Sequence, residues 1–469
     1  MSTESNNRPD PRDYFEVSDA QNARYQSPSL PLQSQIGPTA GAIQIPADEL
    51  ESLTDYASWA NNPPFESPGR SGYVKRKSPL KVGETSVHGY KLKGVGTFSQ
   101  KTRTISPPKG DSYQQMFGTI DSGGNILDEV PVILIHMGIA ENGTLYPVLD
   151  PPKPEGGLSS GRGQREFQNA AKLHKGGVSA CLPIAWGCYP EIKWQNEPTE
   201  FVILGIPSDV PERLGAYFEP DTSSGRFEVG KGMKALIERR FEVVDTRQRK
   251  LGEPMLKITA DIGKNIGRLL RSAHEAGVAR FASHLGNFSL MPNKRDLLLH
   301  DLDSSVEIDS LPPQAKALTM TRDIESAIFG FTHSITHSNA YWIINDLGRF
   351  EKLNPFKALL KGYFQEEVDA TSINEASQRI LDMVVQLIKI RGERPSIDAQ
   401  RMWMPYAMLN LVPLCLNEVF KLYEKSALNQ RNKLPYGLEE FNANWQRFSR
   451  QQEIMYIRAS ESLTAKHRR

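Results

Sequence analysis

Cysteine is scarce in this chain, with three among 469 residues. A disulfide framework is therefore excluded, and a reducing compartment is the expected setting. Cys181 and Cys188 lack the spacing of zinc ligands and read as core thiols. Long apolar runs are missing too. The longest, 130–140, contains Pro131 and His136 and is too short to span a bilayer. The first residues, MSTESNNRPDPRD, hold neither an apolar signal-peptide core nor an arginine-rich amphipathic pattern. Nor is there a surplus of charge: the formal net charge is +1. A field that recruits nucleic acid or an anionic membrane is absent. These gaps leave a cytoplasmic protein without nucleic-acid or membrane partners as the expectation.

What is present is enough apolar sequence, 39% hydrophobic over 469 residues, for a large buried core. Residues 1–70 are rich in Ser, Pro, Asn, Gln and Asp. They read as a largely disordered leader, with an isolated helix or docking peptide near 48–60. From Tyr73 the texture changes. The alternating segment 88–93 reads as a strand running into Gly94-Val95-Gly96. Residues 130–139 and 144–149 read as a hairpin turned by Glu141-Asn142-Gly143. A second glycine-rich stretch, 156–163, opens a helix over 165–175, where Phe167, Ala170, Ala171 and His174 share a face; Gly176-Gly177 stops it. Strands are expected over 178–186 and 200–206. Beyond Pro207 the pattern is helical: Ile262, Ile266, Leu269, Leu270 and Ala273 mark an amphipathic helix ending at Gly277. A short hairpin over 288–291 and 297–300 interrupts it, and from Thr321 on nearly everything is helical, with breaks near Pro355, Pro395 and Pro435. A strand-rich half followed by a helix-rich half predicts an α+β chain of two lobes around a cleft.

The chemistry concentrates between His274 and Asp303. A helix ends at Gly277, a loop delivers Asn287, and an apolar strand delivers Asp301. An amide oxygen and a carboxylate are hard ligands suited to Mg²⁺ bridging phosphates. Read blandly, the same residues form an Asn-capped turn beside a surface aspartate. Asp303 is the candidate base, or else a second metal ligand or a helix cap. His284 and His300 flank the same place and read as hydrogen-bonded loop histidines. His333 and His337 sit four apart on a helix, a metal-ligand spacing, but no third ligand follows, and they read as packing or surface histidines.

The order helix, His-x-x-Gly, Asn on a loop, Asp after a hairpin resembles the catalytic and metal loops of protein kinases. Where a kinase has its His-Arg-Asp triplet, this chain has Arg280-Phe281-Ala282, so the usual proton-accepting aspartate is replaced by Ala282. The Lys93-Gly94-Val95-Gly96 motif, Arg165-Glu166-Phe167, and the run from Gly205 through Arg213 to Phe218 resemble the selenoprotein O family, a kinase-like branch. That resemblance implies a two-lobed kinase-like fold: a strand-rich N-lobe over 71–206, interrupted by an insertion at about 105–155, and a helical C-lobe over 207–469. It implies ATP and Mg²⁺ as cofactors and AMP transfer to a hydroxyl of a protein or peptide. Lys93 is then the phosphate-binding and catalytic lysine, Glu166 its partner, Gly94 and Gly96 the cofactor-binding glycines, and Arg213 a phosphate clamp. Asn287 and Asp301 are the metal ligands, and Asp303 joins Lys93 as a catalytic residue. The chain departs from the family at Gly205, in place of a second phosphate arginine, at Gly286, in place of an aspartate, and in the insertion. These losses leave two further readings open: a catalytically inactive nucleotide-binding scaffold, and a small-molecule phosphotransferase, whose relatives also use a His-x-x-Asn loop such as His284 to Asn287.

Overall fold

The computed structural model describes residues 33–55, 71–95, 157–194, 196–208, 212–241, 248–280, 283–291, 296–311, 313–338, 346–392 and 406–426, with a few shorter pieces. It is mixed α/β with an antiparallel sheet. Two compact units divide the chain. One takes Met1–Lys109, Pro151–Pro211 and Leu298–Ser305; the other takes Gly110–Asp150, Glu212–Leu297 and Val306–Arg469. Residues 298–305 thus fall with the unit that holds the sheet.

The first unit is built on strands β1 (Phe15–Glu16), β2 (Gln35–Ile36), β3 (Ser71–Val82), β4 (Thr85–Lys93), β5 (Leu182–Trp194) and β6 (Glu197–Ile206). They form one antiparallel sheet in the order β1-β3-β4-β6-β5-β2. The last five residues of β4 are all buried, as are the last eight of β6, because both faces of the sheet are covered. Tyr90 and Leu92 face a core with Val74, Ile184, Phe201 and Ile203. Each such fully buried aliphatic or aromatic side chain contributes about 1.5–3 kcal/mol. Lys91 and Lys93 project to the opposite face, since side chains alternate along a strand.

The stretch expected to be a disordered leader contributes ordered structure over 33–55. Strand β2 pairs Gln35 with Cys188, and helix α1 (Ala47–Leu53) lays Leu53 into the same core. Glu49 of α1 accepts a 2.6 Å hydrogen bond from the Tyr90 hydroxyl and pairs with Arg76. The helix is therefore not isolated: its apolar residues and one buried carboxylate tie it to the sheet.

Helix α2 (Arg162–Lys175) packs over β5 and β6 and buries Glu166, Phe167, Ala170 and Leu173. Gly161 in the left-handed region opens it, and Gly177 at φ 68° follows its end. No Ser or Asp caps its start. Instead Glu200 of β6 accepts the Gly161 N–H at 2.7 Å and the Gln164 N–H at 3.0 Å. An anionic carboxylate on the free N–H groups of a first turn complements the helix dipole.

The second unit is mainly helical. Helices α3 (Lys231–Phe241), α4 (Gln248–Glu275), α5 (Pro313–Ser338), α6 (Leu347–Leu353), α7 (Pro355–Phe364), α8 (Ala370–Arg391) and α9 (Val412–Lys425) surround the short strands β7 (Glu212–Arg213), β8 (Val278–Ala279), β9 (Phe288–Leu290) and β11 (Val306–Glu307). Strand β10 (Leu297–Leu299) leads into 298–305. The amphipathic helix expected around Ile262 to Ala273 is α4, its apolar stripe buried. It crosses α7 at touching distance: a Cβ on Gly267 would lie 2.1 Å from Leu359 O. The expected hairpin near Asn142 is present as His136–Ile139 paired with Leu145–Val148, its turn lying outside the described residues. Among the described residues no helix is long and apolar enough to cross a membrane.

Candidate active site

Three elements of the first unit converge on a buried ionic cluster. Strand β4 supplies Lys91 and Lys93, two residues apart on one face. Helix α2 supplies Arg162 and Glu166, one turn apart. The segment after β10 supplies Asp301 and Asp303. It is held to the sheet by Leu299, whose N–H donates to Ser179 O at 2.9 Å and whose carbonyl accepts from Cys181 N at 3.0 Å.

Lys93 donates to Glu166 Oε2 at 2.8 Å, contacts Asp301 Oδ1, and lies 3.6 Å from Asp303 Oδ1. Lys91 is 3.3 Å from Asp301 Oδ1 and 4.0 Å from Glu166 Oε1. Arg162 lies 3.6 Å from Asp303 Oδ2. Glu166 Oε1 accepts the Leu302 N–H at 3.1 Å, and Asn169 donates to the carbonyls of Leu302 and Ser305, both at 3.2 Å. Helix α2 is thereby tied to the acidic turn by backbone as well as charge. Three cations oppose three carboxylates, with the Asp301 side chain 29% and the Arg162 side chain 17% exposed. Burying charges without such pairing is costly. Asp301 adopts φ 66°, a left-handed conformation unusual for a residue with a Cβ. Such strain is tolerated where the surroundings dictate the residue.

Gly94 follows Lys93 at φ 74°, where a Cβ would meet Glu200 O at 2.4 Å; only glycine fits. Gly96 lies outside the described residues, as do Phe281 and Ala282. Burial pushes the Cys181 thiol, near these charges, up to about 12.

The carboxylate oxygens of Glu166, Asp301 and Asp303 lie within 4.8 Å of one another. Hard oxygen donors in that number fit a divalent cation of the Mg²⁺ type, and the two lysines beside them fit phosphate.

Arg213 and Asn287 belong to the second unit. Arg213, on β7 opposite Ser289, donates from Nη1 to Gly286 O at 3.0 Å. Asn287 is buried, its Nδ2 2.9 Å from His284 Nε2. The Gly286 N–H also approaches His284, at Nδ1, at 3.2 Å. A neutral imidazole has one acceptor nitrogen, so only one of these bonds holds at a time.

This loop has an anchor on α5. Asp323, fully buried, takes the Arg280 N–H at 2.6 Å, His274 Nε2 at 2.9 Å and the Ser283 hydroxyl. His274 Nδ1 reaches the Tyr363 hydroxyl at 2.7 Å. Burial drives the Asp323 carboxyl up, but the bonds from His274, Ser283 and the Arg280 N–H outweigh it and hold it below the ordinary value.

Sequence reasoning passed over Lys91 and Asp323. Lys91 was legible as the same-face neighbour of Lys93. Asp323 was legible as an acid on the apolar stripe of Met320, Ile324, Ala327 and Phe331, where an unpaired charge is not tolerated.

No family model matches this sequence, and no curated protein matches it. Among solved structures 58 chains match. One, described as WaaP in complex with acyl carrier protein, is 12% identical, with a TM-score of 0.31 over 55% of this chain and 88% of its own. Agreement at that level identifies neither fold nor activity.

Proposed function

We propose that this chain is an ATP- and Mg²⁺-dependent transferase of kinase-like fold. It moves AMP, in preference to phosphate, onto a hydroxyl of a protein or peptide, as the resemblance to selenoprotein O implies. The observation that supports the reading most is the buried Lys93–Glu166 pair with Asp301 and Asp303 around it. A buried ion pair is poor value as a stabilising device, since apolar residues of the same volume usually do as well. A cluster of two lysines and three carboxylates makes sense as a site for a charged ligand.

In this reading Lys93 and Lys91 hold phosphate oxygens, and Glu166 keeps Lys93 aimed. Asp301 and Asp303 supply oxygen ligands to the cation. The cation, when bound, neutralises charge that develops on the transferring group. Positioning and neutralisation supply most of the barrier reduction in such transfers, so the lack of a base at Ala282 does not forbid catalysis.

A second reading, a nucleotide-binding scaffold without turnover, draws support from Gly205. A Cβ there would sit 3.3 Å from each of the apolar side chains of Ile184, Leu182 and Val87, surroundings that disfavour the family's second phosphate arginine. Incubation with α-labelled and γ-labelled ATP separates the readings. Protein labelled from the α position supports AMP transfer, and label from the γ position makes the chain a kinase. No label with retained nucleotide binding makes it a scaffold.

A further inference from the structure

Arg391, in the last turn of α8, is a buried cation with no carboxylate partner among the described residues. It is 4% exposed, and its Nε and Nη1 are buried without an acceptor. Its guanidinium lies over the Phe227 ring, 4.9 Å from the centroid. Burial lowers its pKa, and no carboxylate acts in the other direction. Neutralising itself by deprotonation, the usual escape of a buried charge, is closed to arginine.

Two histidines stand beside it. His333 and His337, one turn apart on α5, stack with ring centroids 4.2 Å apart. His337 meets the edge of Phe227 at 5.6 Å, and Trp403 packs against His333 at 5.3 Å with its indole Nε1 buried and unbonded. Burial is the main cause that holds His333 down to about 3 and His337 down to about 4. The charges that add to the depression are cationic: His337, Arg391 and His284 on His333, and Arg391 on His337.

The i, i+4 histidines have metal-ligand spacing, yet a guanidinium alongside repels a metal cation. Among the described residues the grouping of acidic or histidine ligands close enough to hold an ion is Glu166, Asp301 and Asp303, in the other unit. The chemistry here is inverted: donors and positive charge without an acceptor. We propose that Arg391, His333, His337 and Trp403 form a binding site for a phosphate-type oxyanion. Guanidinium N–H groups match two oxygens in one plane, and the indole N–H adds a third donor. His337 Nδ1 donates to the His333 carbonyl at 2.5 Å, so its Nε2 is the nitrogen that gains a proton and turns to the anion. Both histidines keep partial solvent exposure. Anion binding draws a proton onto the histidines, so affinity rises as pH falls.

The test is calorimetric titration of the full chain with sulfate, a dianion that does not titrate near neutrality, and with inorganic phosphate, at pH 8 and pH 6. Acetate serves as the carboxylate comparison. Because the Lys93 cluster also fits phosphate, the titrations are repeated on Lys93→Met, which separates this site from the proposed catalytic one. Sulfate binding that survives Lys93→Met, tightens about tenfold from pH 8 to pH 6, and weakens at least about tenfold in Arg391→Met is the expected result. The pH dependence disappears in the double variant His333→Gln, His337→Gln. Should Arg391→Met fail to fold, Arg391→Lys and the histidine double variant serve as the test. Sulfate affinity unchanged in those variants overturns the proposal. So does acetate binding as tightly as sulfate, or Zn²⁺ binding lost in His337→Gln while sulfate does not bind at all.

Discussion

Glu166 holds Lys93 with one carboxylate oxygen, at 2.8 Å, and the Leu302 backbone N–H with the other, at 3.1 Å. One side chain thus fixes both the lysine and the turn that presents Asp301 and Asp303. Replacing it disturbs the charge balance and the geometry together. Glu166→Ala leaves Lys91 and Lys93 buried beside fewer counter-charges, a change that costs about 3–5 kcal/mol for a broken buried pair. Chemical denaturation measures that loss. Glu166→Gln, which keeps the volume, is expected to fold and to lose the nucleotide-induced rise in melting temperature. A Gln variant that still gains thermal stability with ATP and Mg²⁺ removes the cluster from nucleotide binding.

Asp301 offers a cleaner separation of folding from function. Asparagine tolerates φ 66° nearly as well as aspartate, so Asp301→Asn keeps the backbone while removing a ligand charge. We expect a folded protein whose Mg²⁺-dependent nucleotide binding is weakened at least about tenfold, about 1.4 kcal/mol. Titration with and without Mg²⁺ reads this directly. Parent-like binding means that the metal loop is placed wrongly.

Close backbone approach makes two glycines irreplaceable. Gly94→Ala meets a carbonyl at 2.4 Å and an unfavourable φ of 74°, and Gly267→Ala meets one at 2.1 Å between α4 and α7. Each is expected to destabilise by about 2 kcal/mol or more through forced backbone movement. Gly161→Ala, with open space around its Cβ but φ 79°, is expected to lose only about 1 kcal/mol. Equal losses at the three positions, measured by denaturant midpoint, contradict this ranking.

Stability should fall with acid in two steps. His333 and His337 are held at about 3 and about 4, whereas the unfolded chain titrates near the ordinary 6.5. Between those values the unfolded state binds more protons, so stability is full above pH 6.5 and declines as pH falls below it. At pH 5 the loss is of order 2 kcal/mol per histidine. Asp323, depressed below 3.8, contributes in the same direction at lower pH: its stabilisation is present above 3.8 and lost below. Denaturation at pH 7.5, 6 and 5 checks the first step in a low-salt, sulfate-free buffer. The His333→Gln, His337→Gln variant should show a flatter profile there. An unchanged profile rejects the assignment.

Much of the architecture was legible. The 3.6-residue spacing of Ile262, Ile266 and Leu270 predicts α4, and the glycines around 161–177 bracket α2 closely. Asp301 was singled out as a carboxylate delivered by an apolar strand and Asp303 as its neighbour on the same turn, whereas Lys93 and Glu166 were named only through the resemblance to selenoprotein O. The leader was misread. Composition over 1–70 averages a polar sequence, whereas order over 33–55 depends on a few residues: Leu53 against the sheet, Glu49 against Tyr90.

Local patterning is a property of neighbours along the chain, and it was sufficient for α2, α4 and strands β4 and β6, but not for β1, β2 or β3. Which charges meet is a matter of register and packing between segments separated by as many as 210 positions, as for Lys91 and Asp301. No periodicity encodes that distance. The pairing of Lys91 with Asp301, the seating of Glu200 on α2 and the burial of Arg391 without a carboxylate partner among the described residues all arise only when the chain has closed on itself, because each depends on what surrounds a side chain in three dimensions.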